Sequence, residues 1–344
     1  MICPVLSRCA EQLEDTVVLL IVDTDVDTDV DTDVDTHSCS QRRSVLLTRR
    51  ISDLSSMQSS ATVCFLLLIF PVNAHVVENF ETCMQYFYNG HVPEWTPNDH
   101  VHICQMFNNR YHFATLYDTT NRIPVYSAYV VEKSGKSSKP DWMVEPQLVN
   151  KKFEKEMMRE DSLIYKHPTL NLDEIGKTQA TDDDYKQLTD GYSRGHLNPN
   201  SHHAGDAAKA TQTLTNIVPQ KQKLNQGMWK DHEDTLKGWA KNYSVYVLVG
   251  AIPSKGNGIK TKRVNIPDYM WVAHCYYNKT SQSYESGGAT AKNVENKIYN
   301  CTLSQLQAFL AKHNQVAAGQ LFHNDCYVEQ AAGASAAAGN PCDI

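Results

Sequence analysis

Two segments about thirty residues apart constrain this chain more than any other feature. The first, residues 192–199, reads Tyr-Ser-Arg-Gly-His-Leu-Asn-Pro. The second, residues 215–229, contains Thr-Asn-Ile-Val-Pro-Gln and then Leu-Asn-Gln-Gly-Met-Trp. In this order they supply a histidine, an arginine and an asparagine, which are the residue types that metal-assisted cleavage of a phosphodiester needs.

The chemistry assigns a role to each of these side chains. Hydrolysis of a phosphodiester needs a base for the attacking water and positive charge on the phosphoryl oxygens. His196 lies between a glycine and Leu197, so we expect it at a strand end or turn, where a neutral imidazole can act as a base. Arg194 could clamp a phosphate with its planar guanidinium. Asn225 offers the neutral oxygen ligand that suits Mg²⁺, because this ion retains most of its water ligands.

The predicted secondary structure places these residues in a plausible order. Residues 224–243 have apolar side chains at helical spacing, with Asn225 in the first turn. On one continuous helix Glu233 would lie within about eighty degrees of Asn225 and could hold a metal-bound water. Residues 213–218 alternate and predict a short strand that ends at Pro219.

The two segments resemble the motifs of the DNA/RNA non-specific endonuclease family, and the likeness covers roughly residues 80–330. The resemblance implies the ββα-metal (His-Me finger) nuclease fold. It also implies a hydrolase that holds DNA and RNA through non-specific backbone contacts, uses Mg²⁺ or Mn²⁺, and leaves a 5′-phosphate.

The resemblance also implies roles for individual residues. His196 corresponds to the family's general base and Asn225 to its metal ligand. Arg194 corresponds to a positioning or phosphate-contacting arginine, Asn216 to a supporting asparagine, and Glu233 to a glutamate that contacts a metal-bound water.

The chain departs from the family pattern at two positions. Ser193 stands where the family has an aspartate, and Lys237 stands where it has an arginine, which keeps the charge but loses the planar fork. Lys139 lies near the expected place of a further arginine and could substitute for it. Lys221 and Lys223 flank the predicted site and are candidates for binding the phosphate backbone.

The first 74 residues are predicted to be absent from the mature protein. Residues 61–74 contain an apolar run too short to span a bilayer and end in Val-Asn-Ala, as a signal-peptidase site does. Residues 57–74 therefore predict a signal peptide that starts at Met57. Residues 1–56 contain a repeated Val-Asp-Thr-Asp tract that cannot form a packed core, so we interpret them as a low-complexity leader. The alternative is an uncleaved signal anchor with an acidic cytosolic tail.

The predicted mature chain is nearly neutral, because residues 75–344 contain 28 acidic and 27 basic residues. This balance does not indicate a strongly basic nucleic-acid binder, although a local basic groove can still hold a phosphate backbone. Each remaining basic residue by itself is interpreted as an ordinary solvated side chain. The further candidates for such a groove are Lys151, Lys152, Lys155, Lys255, Lys260, Lys262 and Arg263.

The cysteines and glycosylation sequons favour the secretory pathway and an extracellular product. An even number of cysteines in this context predicts up to three disulfides, with fifteen pairings left open. Sequons occur at Asn242, Asn278 and Asn300. A zinc site at His202, His203, His323 and Cys326 is disfavoured, because these residues lack paired metal-ligand spacing. The six cysteines after residue 74 are Cys83, Cys104, Cys275, Cys301, Cys326 and Cys342.

The remaining pattern predicts one α+β domain over residues 75–330, with a mixed or antiparallel central sheet and flanking helices. Strands are expected at 123–131, 243–252 and 269–277, and a helix capped by Thr302 or Ser304 at 302–313. Residues 331–344 read as a small-residue tail, and no later segment is apolar enough to cross a membrane.

Three functions from different classes fit the sequence. The first is a secreted Mg²⁺-dependent endonuclease that acts on DNA and RNA. The second is a catalytically weak relative that binds nucleic acid or a protein partner, and the changes at Ser193 and Lys237 motivate it. The third is a disulfide-rich extracellular protein in which His196 is only a hydrogen-bonded turn residue.

Overall fold

The computed structural model describes residues 76–94, 100–132, 140–186, 188, 191–259, 262–313, 320–327 and 341–344. The predicted leader (1–56) and signal peptide (57–74) lie outside the described residues. Lys139, Lys260 and residues 331–340 of the predicted tail also lie outside them.

The described residues contain strands, α-helices and short 3₁₀ turns. The strands are β1 (Val76–Val77), β2 (Val101–Phe107), β3 (Arg110–Asp118), β4 (Ile123–Val130), β5 (Met143–Val144), β6 (Met158–Arg159), β7 (Tyr192–His196), β8 (Ile217–Lys221), β9 (Tyr246–Ile252), β10 (Gly258–Ile259), β11 (Val264–Asn265), β12 (Tyr269–Asn278), β13 (Ser283–Lys292) and β14 (Tyr299–Cys301). The helices are α1 (Pro146–Val149), α2 (Glu160–Lys166), α3 (Leu172–Ile175), α4 (Asp182–Lys186), α5 (Gly205–Ala210), α6 (Gln222–Asn225), α7 (Met228–Trp239) and α8 (Leu303–Lys312). The 3₁₀ turns are Phe80–Tyr86, Tyr88–Gly90, Asn200–His202, Leu214–Asn216 and Asn324–Cys326.

Eight strands form one sheet in the order β1-β2-β3-β4-β9-β12-β13-β14. Every neighbouring pair in this sheet is antiparallel. The chain leaves the sheet after β4 and returns at β9, and the segment between them carries the separate β7–β8 ribbon and helices α6 and α7. The predicted α+β class is confirmed, and the sheet is antiparallel. None of the described helices is long and apolar enough to cross a membrane.

Strongly patterned segments fold close to where the sequence predicts them. Predicted strands 123–131, 243–252 and 269–277 correspond to β4, β9 and β12. The predicted helix 302–313 corresponds to α8. Its N-cap is Thr302, whose side chain accepts from the backbone N–H of Gln305, while Gln305 reciprocates in a capping box.

Two predicted elements around the candidate site were wrong. The single helix predicted at 224–243 is two helices, α6 and α7, because Gly227 has the non-helical angles φ −110° and ψ −121°. A side chain on Gly227 would collide with Asn296, whose Oδ1 accepts from the backbone N–H of Met228 at 2.8 Å. The strand predicted at 213–218 begins only at Ile217, after the 3₁₀ turn Leu214–Asn216, and it continues through Pro219.

The sheet separates two hydrophobic cores, because alternate side chains of a strand point to opposite faces. Val247 and Val249 of β9 belong to one core, whereas Leu248 belongs to the other. The first core also contains Ile217, Val218 and Leu236, so the β7–β8 ribbon and α7 pack on this face of the sheet. The second core contains buried residues of α8 and the amino-terminal 3₁₀ turn.

The disulfides concentrate in the second core. Cys83 bonds to Cys104, Cys275 to Cys326, and Cys301 to Cys342. The predicted number of three is therefore reached, with a pairing that the sequence had left open. Cys342 is fully buried, so the last described residues of the predicted tail pack against the domain.

Two histidines lie in the first core between α7 and β12. His274 of β12 is 8 % exposed, and its ring centroid is 4.8 Å from that of Trp239. His232 of α7 lies 6.5 Å from His274 between centroids. Burial lowers the pKa of His274 to about 3 and that of His232 to about 4. Both rings are therefore neutral in the folded protein at neutral pH.

Acid should destabilise the fold through these histidines. The unfolded chain takes up protons below its ordinary histidine pKa of 6.5, whereas the folded chain does so only near pH 3–4. Stability from burying neutral histidine is therefore complete above about pH 6.5 and is lost as the pH falls. At pH 5 the loss from His274 is about 2 kcal/mol. The free energy of unfolding, measured with urea, should fall between pH 8 and pH 5 by about 2 kcal/mol less in His274→Phe than in the wild type. An equal fall in both proteins would contradict this prediction.

Candidate active site

The site is built on one β–β–α unit. Strand β7 pairs antiparallel with β8 so that Arg194 faces Pro219 and His196 faces Ile217. The chain then forms α6 and α7. The two sequence segments predicted to carry chemistry are thus neighbours in space.

A glycine is required at the centre of β7. The buried side chain of Gln220 lies directly over Gly195, and a Cβ at residue 195 would collide with its amide. Among the described residues neither Gln220 amide atom has a hydrogen-bond partner. Gly195 therefore lets β8 approach β7 closely enough to leave His196 at the end of the ribbon.

His196 is the last residue of β7 and is partly exposed. Its Nε2 lies 2.9 Å from the amide nitrogen of the buried Gln212. Its ring packs against the indole of Trp142, with centroids 5.3 Å apart. These contacts from two separate segments fix the orientation of the imidazole. A fixed orientation is the first requirement for a general base.

Asn225 is tied to the strand that carries His196. Its amide nitrogen donates to Ser193 Oγ at 2.9 Å and approaches the Arg194 carbonyl oxygen at 3.3 Å. Ser193 Oγ in turn donates to the carbonyl oxygen of Gln220 at 3.3 Å. Within the described protein, Asn225 Oδ1 accepts none of the hydrogen bonds found. The amide is therefore oriented through its nitrogen, and its oxygen is left for another partner.

Arg194 makes an internal ion pair. Its guanidinium donates to Asp182 Oδ1 at 2.6 Å, and its Cζ lies 4.9 Å from the centroid of the Trp142 ring. Burial opposes ionisation of Asp182, but the hydrogen bond and charge of Arg194 outweigh it and lower the pKa of this carboxyl. The guanidinium is thus held beside His196 by α4, which favours a positioning role over free phosphate binding.

Asn216 lies inside the protein. It is fully buried, and its amide nitrogen donates to the carbonyl oxygens of Asn198 and Thr211 at 2.9 and 3.1 Å. Its Oδ1 accepts from Ser127 Oγ at 2.9 Å and from the Asn198 N–H at 3.0 Å. These four bonds use the full hydrogen-bonding capacity of the amide. Asn216 therefore supports the site and does not reach a substrate.

Glu233 and Lys237 lie on α7, beside the segment that follows His196. The Glu233 backbone carbonyl lies 2.9 Å from His202 Nε2. Burial, with the charge of Asp234, raises the pKa of Glu233 to about 8. The angle of about eighty degrees between Asn225 and Glu233 was predicted for one continuous helix. That prediction was wrong, because the helix breaks between these two residues.

The predicted phosphate-binding lysines occupy different settings. Lys221 is partly buried, with Nζ 4.1 Å from the ring centroid of Tyr192, whereas Lys223 is exposed on α6. Lys237 makes no ion pair with the described residues, and Lys139 lies outside them. The guanidinium of Arg263 donates to Asp184 and Thr181.

Comparison with known proteins identifies the family. The sequence profile of the DNA/RNA non-specific endonuclease family matches residues 99–329. The chain belongs to this family. The β7–β8 ribbon followed by α6 and α7 is accordingly the β–β–α unit of the ββα-metal nuclease fold, as the sequence resemblance implied.

Two named relatives and one solved structure are similar to this chain. The human Endonuclease domain-containing 1 protein is 34 % identical over 206 residues, which are 57 % of this chain and 39 % of the relative. The mouse protein of the same name is 31 % identical over 204 residues, again 57 % and 39 %. The chain thus spans about two fifths of the length of these relatives. A chain in the crystal structure of the EndoG/EndoGI complex matches this chain at 16 % identity, with a TM-score of 0.45. The match covers 69 % of this chain and 89 % of the chain in that structure.

The donor set of this family member suits a hydrated hard cation. No cluster of three or more His, Cys, Asp or Glu that could hold a metal exists among the described residues. The oriented Oδ1 of Asn225 is a single neutral oxygen, and Mg²⁺ commonly takes few protein ligands while keeping its waters. The chemistry of the site therefore fits Mg²⁺ better than zinc, which prefers nitrogen and sulfur ligands.

Sequence reasoning missed three residues of the candidate site. Gln212 contacts His196, and Asp182 fixes Arg194. Trp142 packs against both His196 and Arg194. None belongs to a segment with a catalytic signature, and they come from loops and a short helix far apart in sequence.

The positioning role of Arg194 can be measured as a coupling energy. A double-mutant cycle of Arg194→Gln and Asp182→Asn, measured by urea unfolding, should give a coupling free energy of about 1 kcal/mol. This value is expected because both side chains are mostly buried but partly screened by solvent. The matched control is Arg159→Gln with Asp161→Asn, an exposed pair that should show no measurable coupling. Equal coupling in the two cycles would contradict the positioning role.

Proposed function

We propose that this chain is a secreted, Mg²⁺-dependent endonuclease that hydrolyses phosphodiester bonds of DNA and RNA without sequence preference. One observation carries the proposal. The nitrogen of the Asn225 amide is bound to Ser193 and to the Arg194 backbone, so that its oxygen is offered beside the strand that ends at His196. A base and a metal ligand are thereby held on one β–β–α unit, in a chain of an endonuclease family.

The chain's own residues suggest how the reaction proceeds. His196 takes a proton from water, and the resulting hydroxide attacks phosphorus in line with the departing 3′ oxygen. Gln212 and Trp142 hold the imidazole in the orientation this transfer needs. Bound at Asn225, Mg²⁺ would supply Lewis acidity at the phosphoryl and leaving oxygens. By family resemblance the product carries a 5′-phosphate, and Mn²⁺ could replace Mg²⁺.

Contact with the substrate backbone is assigned to basic side chains around the unit. Lys221 and Lys223 adjoin Asn225 in sequence, and Lys237 lies further along α7. Arg194 is paired with Asp182, so it is assigned a positioning role and not a direct phosphate contact. Lys139 stays a prediction. Such contacts recognise phosphates and not bases, which would give cleavage without sequence preference.

Secretion is supported by disulfides and surface sequons. Three disulfides are expected in an oxidising compartment. Asn242 and Asn300 are exposed, and Asn278 is partly exposed, so each lies where a glycan could be attached. The signal peptide predicted at 57–74 would direct the chain to that compartment.

A catalytically weak nucleic-acid-binding or partner-binding protein is the second candidate. Its specific support is that Arg194 is committed to Asp182, while the pKa of Glu233 is raised to about 8. An arginine already paired and a largely protonated glutamate would each contribute less to catalysis at neutral pH. The departures at Ser193 and Lys237 point the same way.

Cleavage by residues 75–344 should require both metal and His196. Supercoiled plasmid and RNA should be cut with Mg²⁺ and left intact with EDTA. His196→Ala should lower the rate by about a hundredfold to ten-thousandfold, since it removes the base but not the metal ligand. The matched control is His167→Ala, a partly exposed histidine bonded to Glu154, which should cut normally.

Two outcomes would favour other functions. A folded wild type that binds nucleic acid as tightly as His196→Ala, with neither protein cutting, would favour the weak relative. A folded protein that neither binds nor cuts would favour a disulfide-rich extracellular protein without nuclease chemistry.

Ser193 should affect the metal requirement more than the maximal rate. Ser193→Ala removes the hydrogen bond that orients Asn225, so the half-saturating Mg²⁺ concentration should rise about two- to tenfold. Ser193→Asp restores an acceptor, which should reverse most of that rise. Titration of Mg²⁺ at saturating DNA tests this, and an Ala variant with an unchanged Mg²⁺ requirement would show that Ser193 does not position the ligand.

A further inference from the structure

A second concave site lies at the far end of α7 from Asn225. Strands β4, β9 and β12 are neighbours in the sheet. The last residues of β4 and β12 lie at the same end of the sheet as the first residues of β9. There the residues that follow α7 line an open cavity of about 390 Å³. Its walls include the aromatic and basic residues Tyr88, Tyr243, Tyr246, Tyr277, Lys241 and Lys279.

The tyrosines of this cavity are held in place by contacts with one another and with tyrosines beside it. Tyr88 meets Tyr246 edge to face at 5.3 Å between centroids, and its hydroxyl donates to that of Tyr284 at 2.7 Å. Tyr243 stacks on Tyr276 at 4.9 Å, and Tyr277 meets Tyr284 at 5.1 Å. Rigid aromatic walls cost little conformational entropy when a ligand binds. The tyrosine rings are therefore largely fixed before a ligand binds.

The charge of the cavity favours an anion. Lys241 and Lys279 are exposed at its mouth, and neither makes an ion pair with the described residues. No Asp or Glu lies among the lining side chains. Aromatic rings combined with unpaired lysines are the combination that binds an unpaired base and its phosphate. A neutral sugar would use the rings but gain little from the lysines.

The cavity also lies at a useful distance from the candidate active site. Helix α7 has 12 residues and so spans about 18 Å, with Asn225 just before its start and Lys241 just after its end. Because a stacked strand rises about 3.4 Å per nucleotide along its axis, this span corresponds to at most about five nucleotide steps. A strand held at the active site can thus reach the cavity.

We propose that this tyrosine–lysine cavity binds an unpaired nucleotide of the substrate strand, with its base against the tyrosines and its phosphate on Lys241 or Lys279. The inference rests on the proposed function and extends it. It assigns an anchoring site that favours single-stranded over fully paired substrate, because a base stacked in a duplex cannot enter a concave pocket.

Binding without cutting separates this inference from the proposed nuclease activity. A fluorescently labelled single strand of about twelve nucleotides is titrated in EDTA against residues 75–344, and anisotropy gives Kd. Tyr277→Leu with Lys279→Gln should raise Kd roughly tenfold, since one stacked base contributes about 1–3 kcal/mol. The salt dependence of binding should also weaken by about one phosphate contact.

The matched control changes an exposed tyrosine and lysine elsewhere. Tyr165 is 86 % exposed and Lys177 is exposed, so Tyr165→Leu with Lys177→Gln should leave Kd unchanged. A fully paired duplex should bind the wild type and the cavity variant alike, because a base stacked in a duplex cannot enter the cavity. Circular dichroism of each variant checks that it folds.

Each remaining outcome decides the inference. Equal loss of affinity in the cavity variant and the control, or none in either, overturns it even if the protein cuts DNA. Loss confined to the cavity variant supports it even if no metal induces cutting. Asn242 also lines the cavity and lies in a sequon. If only Asn242→Gln of the secreted protein binds the strand, a glycan covers the cavity and the inference is wrong.

Discussion

The buried amide of Asn216 is the interaction on which the site's geometry depends. It joins Ser127 of β4, the backbone of Asn198 after His196, and Thr211 before β8. The sheet and both sides of the β7–β8 ribbon are therefore linked through one side chain. Leaving a buried polar group without its partner costs about 1–3 kcal/mol, so this network strongly favours one placement of the ribbon. The position of His196, two residues before Asn198, follows from it.

The division of the molecule by its sheet explains how stability and chemistry coexist. The three disulfides lie with the second core, whereas the β7–β8 ribbon and α7 pack on the first. Cross-links on one face restrict the unfolded chain without constraining the site on the other face. The strands between them serve both, because alternate residues such as Val247 and Leu248 face opposite cores.

The sequence predicted the elements with strong local signals and failed where tertiary contacts decide the structure. Strands β4, β9 and β12 and helix α8 carry clear periodicity, and the Thr302 cap is visible as a motif. The break at Gly227 depends on Asn296, which is distant in sequence. The turn at Leu214–Asn216 likewise depends on the long-range bonds of Asn216. Apolar spacing alone therefore extended the helix and started the strand too early.

The candidate site shows the same contrast. His196, Arg194 and Asn225 could be selected because a motif fixes their order, and the structure brings their segments together on one ribbon. Gln212, Asp182 and Trp142 could not, since each acts only through a contact made by the folded chain. Residues that perform chemistry recur in short motifs, whereas the side chains that orient them are specified by packing.

The electrostatics of the site suggest why a single neutral ligand would suffice for the proposed reaction. Asp182 balances Arg194, and Glu233, with a pKa of about 8, is largely uncharged at pH 7. Asn225 adds no charge, so a bound cation would keep its full attraction for phosphate oxygens. Residues 75–344 contain nearly equal numbers of acidic and basic residues. The attraction of the protein for a nucleic-acid backbone therefore cannot come from its net charge. It must come from the cation and from nearby lysines such as Lys221 and Lys223, which makes binding depend on local geometry and ionic strength.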